Sequence, residues 1–254
     1  KDLGYETWTL SNGVKVVFKQ TDFKADEILF EAQSFGGYSV YEQKDDISSK
    51  YAADIAMESG LGDFDRSEYQ KFMSDKNARI QPYIGETTEG ITGSCSVNDF
   101  ELLLQLVHVS FTKPRVSESA MKSYINKEKG MLENSMLDPQ SAWSDTMRWT
   151  MSSNHPRRRP VTPEILDEAD YKRVKSIYAQ RFGDPGNFTF YFVGNIDPKT
   201  AKPLIEKYLG SLPVVERNET FKDLGIRPPK GIVEKTVNKG KDAKCMEVIN
   251  FHGA

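Results

Sequence analysis

Residues 188–196, FTFYFVGNI, set the tightest limit on what this chain can become. In an extended strand successive side chains point to opposite faces, so Phe188, Phe190 and Phe192 share one side and Thr189, Tyr191 and Val193 the other. Three phenylalanines on one face need a covered sheet interior, with helices laid across it. Any fold for this chain has to supply a central strand here and an apolar layer above it.

The remaining periodicities supply both. ETWTLSNGVKVVFKQTD predicts two short strands turning at Asn12-Gly13, a dipeptide whose residues both accept positive φ. EILFEAQSFGG predicts a third strand ended by Gly36-Gly37, and NARIQPYIGETTEGITGSCSV alternates as a strand pair. Helical spacing runs through Ile47–Glu58, where Gly60 and Gly62 close the helix, and again in DRSEYQKFMSDK. Asn98 is placed to cap DFELLLQLVHVSF; further helices are predicted from Ser117 to about Leu137, around Trp143–Met151, over DEADYKRVKSIYAQRF and over PKTAKPLIEKYLGSL. NHPRRRPVTPEIL reads as a proline-punctuated loop. Hairpins with helices laid on one face give an α+β domain with a mostly antiparallel sheet, not a doubly wound parallel one.

That domain is expected to occupy residues 1–213. From Pro213 the charges and prolines of PVVERNETFKDLGIRPPKGIVEKT lack a sustained period, as an interdomain linker over 214–232 would. Residues 233–254 look like strands again but are too few for a domain, and read as the opening strands of a following one that the chain truncates. The first residues have no initiator Met and begin almost at once with strands, as an excised segment would.

Composition narrows the function. A net charge of −3 leaves no basic face for nucleic acid, and Arg157-Arg158-Arg159 reads as a solvated or packed loop. No apolar run approaches a membrane span, and no signal-peptide pattern opens the chain. Cys95 and Cys245 are expected as two buried thiols. SFGGYS and GETTEGITG do not join a strand to a helix start as a phosphate cradle does, and no Gly-x-Ser-x-Gly turn is present. His108, His155 and His252 share no ligand spacing. Met121, Met131, Met136, Met147 and Met151 with Trp143 and Trp149 read as core or interface packing, with a peptide-contacting surface as the alternative.

WTLSNGVKVVF, the helix before ESGLGDF, YKRVKSIYAQRFGDPGNFTFYFVGNID and PLIEKYLGSLP together resemble the pitrilysin/insulinase family of zinc peptidases, over Tyr5 to Pro213. Active members carry His-x-x-Glu-His on the first helix of their first domain. Two imidazoles one turn apart reach one ion, the Glu between them polarises its water, and a Glu on a later helix completes the site. The resemblance implies repeated domains of one fold, of which only the first bears ligands. With the Gly60 turn as anchor, the five signature positions fall on Tyr51, Ala52, Ala53, Asp54 and Ile55. Both histidine places are lost, and the acid place holds a shorter carboxylate. The third ligand would fall at Glu128 or Glu133, each expected instead as a solvated helix charge in an i, i+4 pattern with Lys129 or its neighbours.

The resemblance therefore implies a non-catalytic domain from the C-terminal half of a zinc metalloendopeptidase, without catalytic or metal residues of its own. Zinc is expected in the catalytic half of the parent. The partners implied are a peptide or unfolded protein substrate and that catalytic half, or a partner subunit, with no nucleic acid. The family's substrate-anchoring Arg/Tyr pair would lie beyond Ala254, and a bacterial periplasmic or secreted location is expected. The alternative is a domain of a wholly inactive homologue that acts as a structural or peptide-binding subunit.

Overall fold

The computed structural model describes residues 4–215, 217–241 and 245–251. They divide into two compact units, one holding the residues up to 124 together with 169–222, the other 125–168 and the residues from 223 onward.

The first unit is built on one sheet of β1 (Glu6–Thr9), β2 (Lys15–Gln20), β3 (Ile28–Phe35), β4 (Ala78–Ile84), β5 (Thr88–Cys95) and β6 (Thr189–Gly194). Its order is β1-β2-β6-β3-β5-β4, antiparallel throughout except where β6 runs parallel to β2. The aromatic strand thus sits inside the sheet, between β2 and β3, as its pattern demands. The first turn differs in detail from expectation. Only Gly13 takes positive φ, at 86°. Gly13 N–H closes a turn onto Leu10 O at 2.9 Å, so a single left-handed residue suffices. Asn12 instead donates its side-chain amide to Leu209 O and Leu212 O, tying the hairpin to the end of a distant helix.

One face of the sheet is the core. Val16, Phe18, Ile28, Phe30, Ala32, Ile91, Phe190 and Phe192 are all buried there. Helix α3 (Phe100–Thr112) lies across it, with Phe100 edge-on to Phe192 at 5.7 Å and Phe111 edge-on to Phe188 at 5.1 Å. Full burial of each such ring contributes about 1.5–3 kcal/mol. The opposite face has no such cover, and Leu29, Tyr191 and Val193 on it are exposed. Helix α3 begins one residue later than Asn98 would place it. Ser96 and Asp99 bond each other, and the Asp99 carboxylate also accepts from Asn77 N–H at 2.8 Å, so this turn is held by the residue that leads into β4.

Helix α1 (Asp46–Glu58) packs against α7 (Tyr171–Phe182) and β4. It stops at Gly60, whose φ is 96°, and a Cβ there would stand 2.2 Å from Phe64 O. Only glycine fits that turn. Helix α2 (Arg66–Met73) follows, opened by a reciprocal Asp65/Glu68 capping box. Helix α8 (Pro198–Leu209) completes the unit, buried through Ala201, Ile205 and Leu209.

The second unit takes the later part of α4 (Glu118–Ser135), then α5 (Pro139–Met151) and the short α6 (Pro163–Leu166). Asp138 caps α5 through Ser141 N–H at 2.9 Å, with Pro139 in the first turn. From 213 onward the described residues carry neither helix nor strand. The described residues of the expected strands, 233–241 and 245–251, form no ladder, and Cys245 is exposed rather than buried, with no packed surface around it. Cys95 is buried in β5, as expected.

Candidate metal helix and a buried ion cluster

The signature positions lie on α1, whose own sequence decides which way each points. Ile47, Ala52, Ala53, Ile55 and Ala56 form its buried stripe. Asp46, itself buried, is paired with Lys50 at 2.7 Å one turn on. Ile55 therefore faces the core with no exposure at all, while Tyr51 and Asp54 lie on the half-buried flank. The Tyr51 ring stands 6.1 Å from that of Tyr124, and the Tyr124 hydroxyl hydrogen-bonds Asp54. Burial pushes the Asp54 carboxyl above the usual carboxylate range, and the nearby Glu58 adds to this while the Tyr124 bond opposes it.

Three of the named residues do not fit zinc. A tetrahedral site wants imidazole, thiolate or ionised carboxylate donors converging at about 2.0–2.3 Å. Ile55 offers no donor, although as i+4 to Tyr51 it lies on nearly the same helix face. Asp54 is engaged by the Tyr124 hydroxyl and, among the described residues, has no set of imidazole, thiolate or carboxylate donors converging with it. Among the described residues no group of three or more His, Cys, Asp or Glu side chains is placed to hold a metal ion. Of the two remnant candidates, Glu128 is half-buried and Glu133 exposed on α4. Lys129 pairs with neither; its ammonium reaches Asp167 at 2.6 Å, because the turn after α6 comes within its length.

The histidines have structural uses. His108 Nδ1 is 2.9 Å from Tyr208 O, and its ring meets the Tyr208 ring edge-on. His155 Nδ1 accepts from Arg157 N–H and starts the short turn at 156–158. His252 lies outside the described residues. Of the methionine and tryptophan group, Met121 is buried, but Met131, Met136 and Trp149 are exposed and no residue of α5 is fully buried. Trp143, Met147 and Met151 are half-buried.

A polar cluster that the sequence reading missed lies at the far end of β5. Glu89 has no exposed surface, yet its carboxylate faces the core side of the sheet. It accepts from Gly37 N–H at 2.5 Å and is ion-paired with Arg217 at 3.2 Å and Arg181 at 3.6 Å. Glu219 completes the group, 2.6 Å from Arg181 and 3.2 Å from Arg217. Burial pushes the Glu89 carboxyl up, and the Gly37 N–H with the two guanidinium groups opposes that. Gly36 lets the chain turn here, with a φ of 138° that L side chains rarely adopt. Two signals in the sequence point this way: an acid at an inward position of β5, and an arginine on the apolar stripe Val174, Ile177, Tyr178 and Phe182 of α7.

Comparison with known proteins bears on the fold. Residues 168–253 match a family model described as the Peptidase M16 inactive domain. The chain is 29% identical over 215 residues to a zinc protease PQQL-like protein of Arabidopsis thaliana, covering 84% of this chain and 20% of that protein. It shares its fold with the periplasmic protease PqqL of Escherichia coli, at a TM-score of 0.73 and 18% identity, over 89% of this chain and 25% of that one. It shares it also with the ferredoxin protease FusC, solved in complex with Arabidopsis ferredoxin, at a TM-score of 0.66 and 15% identity, over 86% and 24% of the two chains. The chain spans about a fifth of the length of the curated relatives it matches.

Proposed function

We propose that this chain, with its Peptidase M16 inactive domain match over residues 168–253 and the fold of M16 proteases, is a non-catalytic domain of a larger zinc metalloendopeptidase. It helps to enclose and position peptide substrates for a catalytic half elsewhere in the same protein or in a partner subunit. One observation carries this reading: on a fold that resembles M16 peptidases, the signature helix presents Tyr51 and Asp54 and buries Ile55. Zinc chemistry belongs to the parent's catalytic half, and none of Tyr51, Asp54, Ile55, Glu128 or Glu133 takes part in it.

The related proteases suggest the rest of the setting. FusC is described with a protein bound, which supports a protein or long peptide as substrate, and PqqL is described as periplasmic, which supports that compartment here. Among the described residues no helix is long and apolar enough to cross a membrane. Residues 233–254 are assigned as the opening strands of a following domain, which would supply their missing sheet.

The test uses the intact parent and its catalytic half expressed alone. Without this domain kcat/KM for long peptides falls while cleavage of short peptides is retained, and adding the chain in trans restores the former. Unchanged cleavage of long peptides by the catalytic half alone refutes enclosure. A parent with no His-x-x-Glu-His anywhere favours the structural-subunit reading.

A further inference from the structure

Residues after Leu212 read in sequence as a loose connector, yet their backbone is bound in a regular way. Val215 N–H donates to Asp184 Oδ1 at 3.0 Å, Arg217 N–H to Asp184 Oδ2 at 2.7 Å, and Glu219 N–H to Asn187 Oδ1 at 3.3 Å. Lys222 N–H follows, on Ser39 Oγ at 2.9 Å. The donors at 215, 217 and 219 alternate as in a strand, but the acceptors are side chains of the turn after α7 in place of a neighbouring strand. Those acceptors are fixed in turn. Asp184 is buried and also takes Gly186 N–H, Asn187 donates to Ser34 Oγ, and Ser39 donates to Gly36 O.

Side chains add a second set of ties. Arg217 reaches from this segment to the fully buried Glu89 and also donates to Gln180 O, while Glu219 reaches Arg181. Phe221 lies against Phe35, ring centroids 6.2 Å apart. Arg217 thus provides one of the two cations that face Glu89. Removing it leaves the buried carboxylate with Arg181 alone, at the longer of the two distances. The compact first unit runs to Lys222, in keeping with these contacts.

We propose that residues 213–215 and 217–222 form a strap latched onto the first unit by Asp184, Asn187, Ser39 and the Glu89–Arg217 pair. The part of the chain held by the first unit then ends at Lys222, not at Pro213. The strap is a conformational device that fixes where the chain leaves that unit.

Amide hydrogen exchange on the full chain tests this directly. In the intact protein the amides of Val215, Arg217, Glu219 and Lys222 exchange about tenfold or more slowly relative to a synthetic peptide of residues 213–222. Arg217→Ala brings them back toward the peptide rate while leaving β3 and β6 protected. Should Arg217→Ala unfold the whole unit, Asp184→Asn, which keeps the shape but offers one acceptor oxygen in place of two, reads the latch instead. Peptide-like exchange at these four amides in the wild-type chain overturns the proposal. So does protection unchanged by both substitutions.

Discussion

Phe190→Ala measures how much of the fold hangs on the central strand. The ring is fully buried in β6, with Phe30, Phe111 and Phe188 around it at centroid distances of 6.4, 5.8 and 6.3 Å. Transfer of a buried phenylalanine accounts for about 1.5–3 kcal/mol. The cavity left among rigid neighbours brings the total to about 3–5 kcal/mol, and three lost ring contacts push it to the upper part of that range. For a domain of this size that lowers Tm by roughly 6–20 °C, at about 2–4 °C per kcal/mol. Urea denaturation followed by circular dichroism is the assay, and the slope should stay that of the wild type, since the surface exposed on unfolding barely changes. Tyr191→Ala is the internal control: it is the next residue on the strand but lies on the open face, and it should cost roughly 1 kcal/mol or less. A loss below about 1 kcal/mol for both Phe190→Ala and Phe192→Ala would falsify the central placement.

Three further outcomes follow from the same coordinates. Thiol labelling of the native chain should modify Cys245 quickly and Cys95 slowly, because Cys95 is buried and its thiol is pushed up to about 12; equal rates would contradict the β5 packing. Asp54 is raised above its unfolded value, so its contribution is present below about pH 4 and is lost as pH rises through the folded value. Asp54→Asn should therefore raise Tm more at pH 8 than at pH 4, and a larger gain at pH 4 would show the sign to be wrong. Gly60→Ala should destabilise by about 1–3 kcal/mol, since its φ of 96° and the 2.2 Å approach to Phe64 O leave no room for a side chain; a neutral effect on Tm would rule out this turn geometry.

Local pattern carried most of the fold. The FTFYFVGNI alternation, the Asn12-Gly13 turn and the glycine stop at Gly60 each reflect forces between residues a few positions apart, and each is where the pattern puts it. The inward face of α1 was legible for the same reason, since burial of Ile55 and half-burial of the Tyr51 and Asp54 flank follow from a 3.6-residue period. What escaped is long-range and polar. Arg217 looks like one more charge in a connector until it is set beside Glu89, 128 positions earlier, and Asp184, 33 earlier. Nothing in the composition of 213–222 marks these as fixed, because a charge paired at a distance and a charge in water read alike. Cys245 failed in the opposite direction: its neighbours alternate as a strand does, but alternation buries nothing without a sheet to pair with.

The full burial of Ile55 bears on whether a metal site could be built on this helix. Isoleucine suits a packed core, and an imidazole in its place does not. Ile55→His places a polar ring among Ala52 and its apolar neighbours, where an unsatisfied nitrogen costs about 1–3 kcal/mol. No ion repays that cost until Tyr51 has changed as well and a third donor has been brought in. Building a metal site on this helix therefore takes several changes together, and the one at position 55 lowers stability with no ion bound to offset it.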